Sequence, residues 1–272
     1  MLHLFITLSA LSTLGLVLAA PSYPVVLLHG IASSAASLDS LSTWLHDEFH
    51  LDVFNVDIGN GERTSLYTSM PQQVDLLCDA IYNTPQLANG FNFIGMSQGG
   101  LLARGYVERC NKFPVRNLIT LVSPHGGVYL PANLDMYTDF IQSHISIGGY
   151  WRDPRDLETY LAKCNFLPIL DNEIQASAER KARVKSLHNF VFIWSQNDEV
   201  LQPPASGKFS VYDMDLNVIP LEERRIYTED LIGLKYLNDE ERLHVYQTNC
   251  THVEHRDEKC FSQLYPIFER FL

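Results

Sequence analysis

Apolar residues along the chain form short runs that alternate with segments of helical spacing. Runs with the length of a β-strand lie at residues 23–28, 51–56, 91–94, 118–122, 190–194 and 243–246. Between the early runs, residues 37–49 and 70–82 carry apolar side chains at the spacing of an amphipathic helix. Since strands that alternate with helices build parallel sheets, the pattern predicts an α/β fold with a mostly parallel central sheet and helices on both faces.

The alternation of strands and helices is interrupted between about residues 129 and 186. This segment contains no convincing strand, but it is rich in apolar and aromatic side chains, such as Phe140, Tyr150, Trp151 and Phe166. So apolar a segment would not remain solvated and disordered. We therefore predict a helical insertion at about 129–186.

The amino-terminal residues have a different character from the rest of the chain. Residues 4–18 form a largely apolar run, and small residues follow it before Pro21. This arrangement is typical of a secretory signal peptide with its cleavage site, and the run is short for a membrane anchor. We predict a signal peptide at 1–20, a single domain at 21–272, no integral membrane span and entry into the secretory pathway.

Composition and charge exclude some classes of partner. The 272 residues are 46% hydrophobic, and 20 Lys and Arg stand against 32 Asp and Glu, for a formal net charge of -12. Nucleic acids and anionic membrane surfaces need a basic face, so we expect neither as the main partner. The sequence has no Cys-x-x-Cys and no clustered Cys and His, so we predict neither a metal nor another cofactor.

The motif Gly95-x-Ser97-x-Gly99 follows the predicted strand at 91–94, and good helix formers follow the motif. Strand, glycine-flanked serine and helix are the context of a nucleophile elbow. The strand and the helix approach so closely there that only glycine fits beside the serine. A surface turn could match the same five residues, but the flanking elements favour Ser97 as the nucleophile.

The acid that would orient a catalytic base is expected at the carboxyl end of a late strand. Functional groups gather at that edge of a parallel sheet, and the partners of an elbow serine follow it in the order Asp, His. Asp198 comes just after the strand at 190–194. We predict Asp198 as the acid, with Glu199 as its neighbouring alternative.

The base is expected after the last predicted strand. His252 lies there, and we predict that it takes the proton of Ser97. His255 is only three residues further on, so the order of the residues does not separate the two. His125 comes too early in the order and His244 lies inside a strand, so we expect both to be structural or pocket residues.

An acyl-transfer site also needs two backbone N–H groups that stabilise the developing oxyanion. One is expected from the residue after the nucleophile, Gln98. The other is expected from the loop after the first strand, at Ile31 beyond His29-Gly30. A His-Gly pair could also be a plain turn, but its place at the end of the first strand favours the oxyanion hole.

The sequence contains five cysteines, an odd number. Cys78 and Cys110 flank the predicted nucleophile strand, and Cys250 and Cys260 bracket the histidine-bearing loop. If both pairs form disulfides, Cys164 is the free thiol. Each disulfide would contribute on the order of 2–4 kcal/mol to stability.

With these features the sequence resembles the palmitoyl-protein thioesterases of the lysosome. The resemblance covers nearly all of the residues that follow the predicted signal peptide. The motifs that carry the resemblance are His29-Gly30-Ile31, Gly95-Met96-Ser97-Gln98-Gly99-Gly100, Tyr150-Trp151-Arg152-Asp153-Pro154, Asn197-Asp198 and the segment 227–235. The last segment, Tyr-Thr-Glu-Asp-Leu-Ile-Gly-Leu-Lys, is the most specific, because general hydrolase chemistry does not call for it.

The resemblance implies an α/β-hydrolase fold and assigns residues to roles. It implies Ser97 as nucleophile, Asp198 as acid, His252 as base and the N–H groups of Ile31 and Gln98 as the oxyanion hole. It further implies an acyl-binding groove built partly by the helical insertion. A Cys78–Cys110 disulfide matches the family, and a Cys250–Cys260 disulfide looks like one of its two mammalian subtypes.

The function implied is the cleavage of long-chain fatty acyl thioesters, such as palmitoyl groups, from S-acylated cysteines of proteins or peptides, through an acyl-enzyme. Acyl-CoA is an alternative substrate. A secreted lipase or carboxylesterase that acts on oxygen esters and a protein that binds acylated partners without hydrolysing them are the other hypotheses. We expect a lysosomal or secreted protein in which the single sequon, Asn249-Cys250-Thr251, is not glycosylated.

Overall fold

The computed structural model describes residues 22–132 and 134–272. The predicted signal peptide at 1–20 lies outside the described residues. None of the helices in these two ranges combines the length and the apolar character that a membrane span requires.

Six parallel strands form the central sheet, in the order β2-β1-β3-β4-β5-β8, and two short strands pair antiparallel as a separate hairpin. In chain order the strands are β1 Val25–Leu28, β2 Val53–Val56, β3 Phe91–Met96, β4 Val115–Leu121, β5 Asn189–Ser195, β6 Val211–Tyr212, β7 Val218–Ile219 and β8 Leu243–Thr248. All six strands predicted from the apolar runs belong to the central sheet. The predicted α/β fold with a mostly parallel sheet is therefore confirmed.

Helices cover both faces of the sheet. They are α1 Asp39–Phe49, α2 Gly61–Tyr67, α3 Met70–Tyr82, α4 Gln98–Arg109, α5 Asp139–His144, α6 Leu157–Lys163, α7 Leu167–Leu170, α8 Ala178–Lys185, α9 Arg225–Thr228, α10 Leu234–Asp239 and α11 Glu258–Phe271. Short 3₁₀ helices lie at Ala35–Leu38, Pro85–Leu87, Ser146–Tyr150, Pro204–Lys208, Leu221–Glu223 and Val253–Arg256.

Strand β1 shows how the sequence pattern produces two cores. Its four residues are all fully buried, and successive side chains point to opposite faces of the sheet. Val26 and Leu28 pack into a core with α3 and α4, whereas Val25 and Leu27 pack into a second core with α1 and α11. A continuous apolar run is what a strand buried on both faces requires.

The segment predicted as a helical insertion contains α5, α6, α7, α8 and the 3₁₀ helix Ser146–Tyr150. Its described residues form no strand, and a single β-bridge joins Trp151 to Val128. Phe166 and Leu167 pack into the core that also contains α3 and α4. The segment is therefore packed against the elements that carry the predicted nucleophile.

The sequence did not predict the following helices and strands: α2, α9, α10, α11 and the β6–β7 hairpin. Helix α2 begins at Gly61, directly after Gly59-Asn60, and glycines this close together are more typical of a turn than of a helix. Helix α11 buries an amphipathic face, although Pro266 lies inside it. The face is visible in the sequence as Phe261, Leu264 and Phe268, which recur every three or four residues.

Both cysteine pairs considered above form disulfides. Cys78–Cys110 joins α3 to the end of α4, and Cys250–Cys260 closes the loop before α11. Cys164 is a buried free thiol, and burial raises the pKa of its thiol to about 12.

Candidate active site

Ser97 lies in a sharp turn between β3 and α4. Its backbone has φ 54° and ψ -128°, a conformation that side-chain-bearing residues rarely adopt. A Cβ on Gly95 would lie 2.4 Å from the Gly100 Cα, and a Cβ on Gly99 would lie 2.3 Å from the Leu28 carbonyl oxygen. The two flanking glycines are therefore required by the close approach of strand and helix, which is the geometry of a nucleophile elbow.

The predicted site residues all come from one edge of the sheet. Ser97 directly follows β3, Asp198 follows β5, His252 follows β8, and Ile31 follows β1. Because these strands are parallel, their carboxyl ends meet at the same edge. The fold thus brings together residues that are far apart in the sequence.

Asp198 and His252 form the central polar contact of the site. Nδ1 of His252 lies 2.7 Å from Oδ2 of Asp198, and both side chains are buried. The other carboxylate oxygen of Asp198 accepts hydrogen bonds from the backbone N–H groups of Val200 and Leu201 at 2.9 and 2.8 Å. These donors fix the carboxylate, and the carboxylate in turn favours the His252 tautomer with a proton on Nδ1 and a free Nε2.

The two neighbouring alternatives have different contacts. Glu199 accepts a hydrogen bond from the backbone N–H of His252 at 2.9 Å and so contacts the main chain, not the ring. His255 is fully buried, with Nε2 2.8 Å from the Thr248 hydroxyl and Nδ1 2.8 Å from the Thr251 carbonyl oxygen. Burial lowers the pKa of His255. Since both of its ring nitrogens are occupied, His255 has no nitrogen free for a substrate.

The two remaining histidines considered from the sequence do not line the cleft at Ser97. His125 is fully buried, stacks on Phe209 at 4.6 Å and lies 3.0 Å from the Thr120 hydroxyl. His244 contacts the Asn189 side chain at 3.0 Å within the sheet. Both contacts are those of structural residues.

The loop after β1 lies directly against Ser97. A Cβ on Gly30 would lie 2.9 Å from the Ser97 Cβ and 3.3 Å from its hydroxyl oxygen, so only glycine leaves that space open. Ile31 directly follows Gly30, and Gln98 directly follows Ser97. Within the described residues, neither backbone N–H donates to another protein group. Two such unpaired N–H groups are what an oxyanion hole requires.

Ser97, Ile31 and His252 line one cleft of about 170 Å³. The other lining residues are Gly30, Ser33, Met96, Val200, Val253 and Arg256. The Val200 and Val253 side chains are 49% and 44% exposed at its rim, although valine is usually buried. A half-exposed apolar rim beside a serine and an imidazole suits a substrate with an apolar part.

Two contacts at the site were not anticipated from the sequence. The Tyr150 hydroxyl donates to the side chain of Gln98 at 2.9 Å, although Tyr150 lies 52 residues further along the chain. Arg256 reaches the cleft from the 3₁₀ helix after His252. The only sequence signal for Tyr150 is its place in the Tyr-Trp-Arg-Asp-Pro motif, and nothing in the sequence indicates its partner.

Chemically, the site offers a serine hydroxyl, an imidazole held by a carboxylate, and two backbone donors. Such a set supports acyl transfer through a covalent acyl-enzyme. Within residues 22–132 and 134–272, no group of three or more His, Cys, Asp or Glu side chains has the arrangement of a metal site.

Comparison with known proteins places the chain in a family. The family model described as palmitoyl protein thioesterase matches residues 24–252. Palmitoyl-protein thioesterase 3 of Dictyostelium discoideum is 35% identical over 264 residues, 92% of this chain and 91% of that protein. The lysosomal thioesterase PPT2 homolog of Drosophila melanogaster is 35% identical over 238 residues, 81% of this chain and 82% of that protein.

Among solved structures, the mature lipase BlEst2 of Bacillus licheniformis is similar in fold. It aligns with a TM-score of 0.50 at 13% identity, over 90% of this chain and 91% of that one. At this identity the likeness concerns the α/β-hydrolase fold alone. Together, the family model, the two relatives and the fold show that this chain belongs to the palmitoyl protein thioesterase family, whose members are thioester hydrolases.

Proposed function

We propose that this protein hydrolyses long-chain acyl thioesters, above all palmitoyl groups on S-acylated cysteines of proteins or peptides. The observation that carries the proposal is the 2.7 Å contact between Nδ1 of His252 and Asp198, beside the cleft that Ser97 lines. The names of the Dictyostelium and Drosophila relatives support the thioester as the bond that is cleaved.

In the first step, Ser97 attacks the thioester carbonyl carbon. Nε2 of His252 takes the hydroxyl proton, and Asp198 stabilises the imidazolium that results. The carbonyl oxygen becomes an oxyanion, which accepts hydrogen bonds from the N–H groups of Ile31 and Gln98. No direct hydrogen bond joins Ser97 to His252 among the described residues, and such contacts commonly tighten only when substrate binds.

Collapse of this tetrahedral intermediate breaks the carbon–sulfur bond, the cysteine sulfur leaves with the proton from His252, and the acyl group stays on Ser97 as an ester. A thiol, with a pKa of about 8.5, leaves far more readily than an alcohol. A water molecule then gives its proton to His252 and attacks the acyl-enzyme. Breakdown of the second tetrahedral intermediate releases the fatty acid and restores the Ser97 hydroxyl.

The acyl chain is expected to contact apolar surface that begins at Val200 and Val253 and continues onto the insertion at about 129–186. Each buried methylene contributes about 0.8 kcal/mol before the costs of binding. Ten methylenes therefore contribute roughly 8 kcal/mol, which favours a long acyl chain over acetyl. The exposed Val200 and Val253 supply apolar surface at the cleft for the start of the chain.

The remaining assignments are part of the same proposal. Residues 1–20 act as a signal peptide, residues 21–272 form the hydrolase domain, and the mature protein is lysosomal or secreted. The name of the Drosophila relative, a lysosomal thioesterase homolog, and the two disulfides support this destination, since disulfides persist in oxidising compartments. Acyl-CoA is the alternative substrate within the same chemistry.

The test is hydrolysis of two matched peptides, one with an S-palmitoyl cysteine and one with an O-palmitoyl serine at the same position. Palmitoyl-CoA is run beside them, and Ser97→Ala is the control variant. We expect wild-type protein to cleave the S-acyl peptide faster than the O-acyl peptide, and Ser97→Ala to cleave neither. Turnover of the O-acyl peptide alone would favour a lipase or esterase, and no turnover of any substrate would contradict the proposal.

A further inference from the structure

The side chain of Gln98 is held from three directions. Its Nε2 donates to the Ser65 carbonyl oxygen of α2 at 2.9 Å and to Oε1 of Gln73 of α3 at 3.2 Å. Its Oε1 accepts a hydrogen bond from the Tyr150 hydroxyl at 2.9 Å. All four residues are buried, so water does not compete for these contacts. A buried amide with both ends hydrogen-bonded has little freedom to rotate.

Tyr150 is itself fixed by its main chain. Its carbonyl oxygen accepts a hydrogen bond at 3.0 Å from the N–H of Val128, which lies in the loop that follows β4. A Cβ on Gly127 would lie 2.8 Å from the same oxygen, so the two segments are in close contact. The Tyr150 hydroxyl therefore reaches Gln98 from a residue whose main chain is anchored to the loop after β4.

Ser65 also contacts the loop that follows β1. Its hydroxyl oxygen lies 3.5 Å from the backbone N–H of Ser33, two residues after Ile31. The same residue thus touches the loop that carries one predicted oxyanion donor and the side chain of the residue that carries the other. These contacts tie both donors to α2.

The direction of the Gln98 N–H matters because oxyanion stabilisation is geometric. A donor is effective only when it lies about 2.7–3.1 Å from the oxygen in the transition state. A change in the backbone dihedral angles around the Gln98 N–H would turn this donor away from the oxygen. The preceding residue, Ser97, already holds a strained conformation. Contacts on the Gln98 side chain resist that rotation.

We propose that Tyr150 is a positioning residue, whose hydroxyl acts through the side chain of Gln98 to aim the Gln98 backbone N–H at the oxyanion. This inference rests on the proposed acyl-enzyme mechanism. Because Tyr150 belongs to the segment expected to bind the acyl chain, it joins acyl recognition to the oxyanion hole. The Tyr150 hydroxyl would stabilise the transition state and not the bound substrate, so its removal should lower kcat.

The first test compares Tyr150→Phe with Tyr106→Phe. The Tyr106 hydroxyl donates to the Phe113 carbonyl oxygen at 2.8 Å, so the control removes one buried tyrosine hydrogen bond from α4 without touching Gln98. Loss of a whole oxyanion donor lowers kcat by about 10²–10³-fold. In Tyr150→Phe the donor is still present but is less well directed, so we expect kcat to fall about tenfold. KM should change by less than about twofold, since substrate binding is not the step affected. Tyr106→Phe should keep the wild-type kcat.

The second test places Tyr150→Phe in a Gln98→Ala background, which keeps the backbone N–H but removes the link. If Tyr150 acts through Gln98, the second substitution causes no further fall in kcat. Equal falls in both backgrounds, or equal falls for Tyr150→Phe and Tyr106→Phe, would overturn the inference.

A third measurement separates this inference from the proposed substrate. The rate at which an alkyl fluorophosphonate labels Ser97 depends on the oxyanion hole but not on thioester turnover. We expect slower labelling of Tyr150→Phe than of wild type. Slower labelling in a protein that fails to cleave thioesters would support the inference and contradict the proposed function. Labelling at the wild-type rate would overturn the inference alone.

Discussion

Asp198 and Glu199 are adjacent in the sequence, but they contact different parts of His252. The Asp198 carboxylate lies 2.7 Å from the imidazole, and the Glu199 carboxylate accepts a hydrogen bond from the backbone N–H at 2.9 Å. The first contact orients the ring, whereas the second holds the loop. Position in the sequence could not separate these two roles, because both residues follow the same strand.

Substitution of each acid by its amide distinguishes the two roles. Asp198→Asn removes the charge that stabilises the imidazolium and favours the wrong tautomer, so kcat should fall on the order of 10⁴-fold. Glu199→Gln keeps an oxygen that can accept from the backbone, so kcat should fall by no more than about fivefold. Steady-state hydrolysis of a palmitoyl thioester measures both, and thermal unfolding verifies that each variant is folded. A larger loss in Glu199→Gln than in Asp198→Asn would make Glu199 the acid.

At the scale of elements, α3 and α11 show what periodicity can predict. The helix predicted at 70–82 is present as Met70–Tyr82, because its buried residues recur at helical spacing without interruption. Helix α11 has a similar buried face, but Pro266 lies in its middle and a proline usually ends or kinks a helix. Packing of this face into the second core compensates for the lost hydrogen bond.

The two disulfides belong to elements with different tasks. Cys78–Cys110 spans 32 residues and joins two helices of the core. Cys250–Cys260 spans 10 residues and closes the loop that carries His252. One bond therefore constrains a large part of the unfolded chain, and the other constrains the loop of the proposed base.

Removal of each disulfide by a double Cys→Ala substitution should lower stability in both cases but lower activity in only one. Loop-closure entropy predicts a loss of about 4 kcal/mol for Cys78–Cys110 and about 3 kcal/mol for Cys250–Cys260. The first variant should keep the wild-type kcat below its melting temperature, because its disulfide lies away from Ser97. The second should lose kcat even where it is fully folded, because the His252 loop is freed. Denaturant unfolding and steady-state kinetics on both variants check this, and unchanged kcat in the second would contradict it.

At the scale of the whole molecule, buried charges join the elbow helix to the predicted insertion. Arg104 of α4 contacts Glu108 at 2.8 Å and Asp171 at 2.7 Å, and Arg224 contacts the other oxygen of Asp171 at 3.2 Å. Next to them, Arg152 pairs with Glu173 through two hydrogen bonds. Removal of one member would leave an uncompensated buried charge, which is strongly destabilising.

Two buried groups near Arg104 should make stability depend on pH in opposite directions. Burial, and then the Arg104 charge, hold the pKa of His125 well below its usual 6.5. Its neutral form therefore stabilises the fold above pH 6.5, and that contribution is lost as the pH falls below 6.5. Burial, opposed by Arg104, raises the pKa of Glu108 to about 7. Its contribution is present below its usual 4.5 and is lost as the pH rises through about 7.

Denaturant unfolding at about pH 5 and about pH 7.5 tests both signs. The quantity to compare is the gain in unfolding free energy from the lower to the higher pH. This gain should be smaller in His125→Phe than in wild type, because a titrating group that favours the higher pH is removed. Phenylalanine keeps the stacked ring. The gain should become larger in Glu108→Gln, because a group that favours the lower pH is removed. Since the comparison is a difference between two pH values, a uniform loss of stability in either variant does not affect it. Changes of the same sign in both variants would contradict the argument.

The sequence by itself determined the six strands of the sheet, the order of strand, elbow and helix around Ser97, and the candidate partners after later strands. These features follow from local rules: apolar runs, helical spacing and the need for glycine where backbones approach closely. Both cysteine pairs could also be proposed, because each brackets an element that was already recognised.

Only the tertiary structure decided which of two candidate residues close together in the sequence contacts its catalytic partner. His252 and His255 are three residues apart, but one faces Asp198 and the other has both nitrogens occupied. The hydrogen bond from Tyr150 to Gln98 joins residues 52 positions apart, and that between Arg104 and Asp171 joins residues 67 apart. Such contacts depend on how the elements pack against one another, and local periodicity carries no information about that packing.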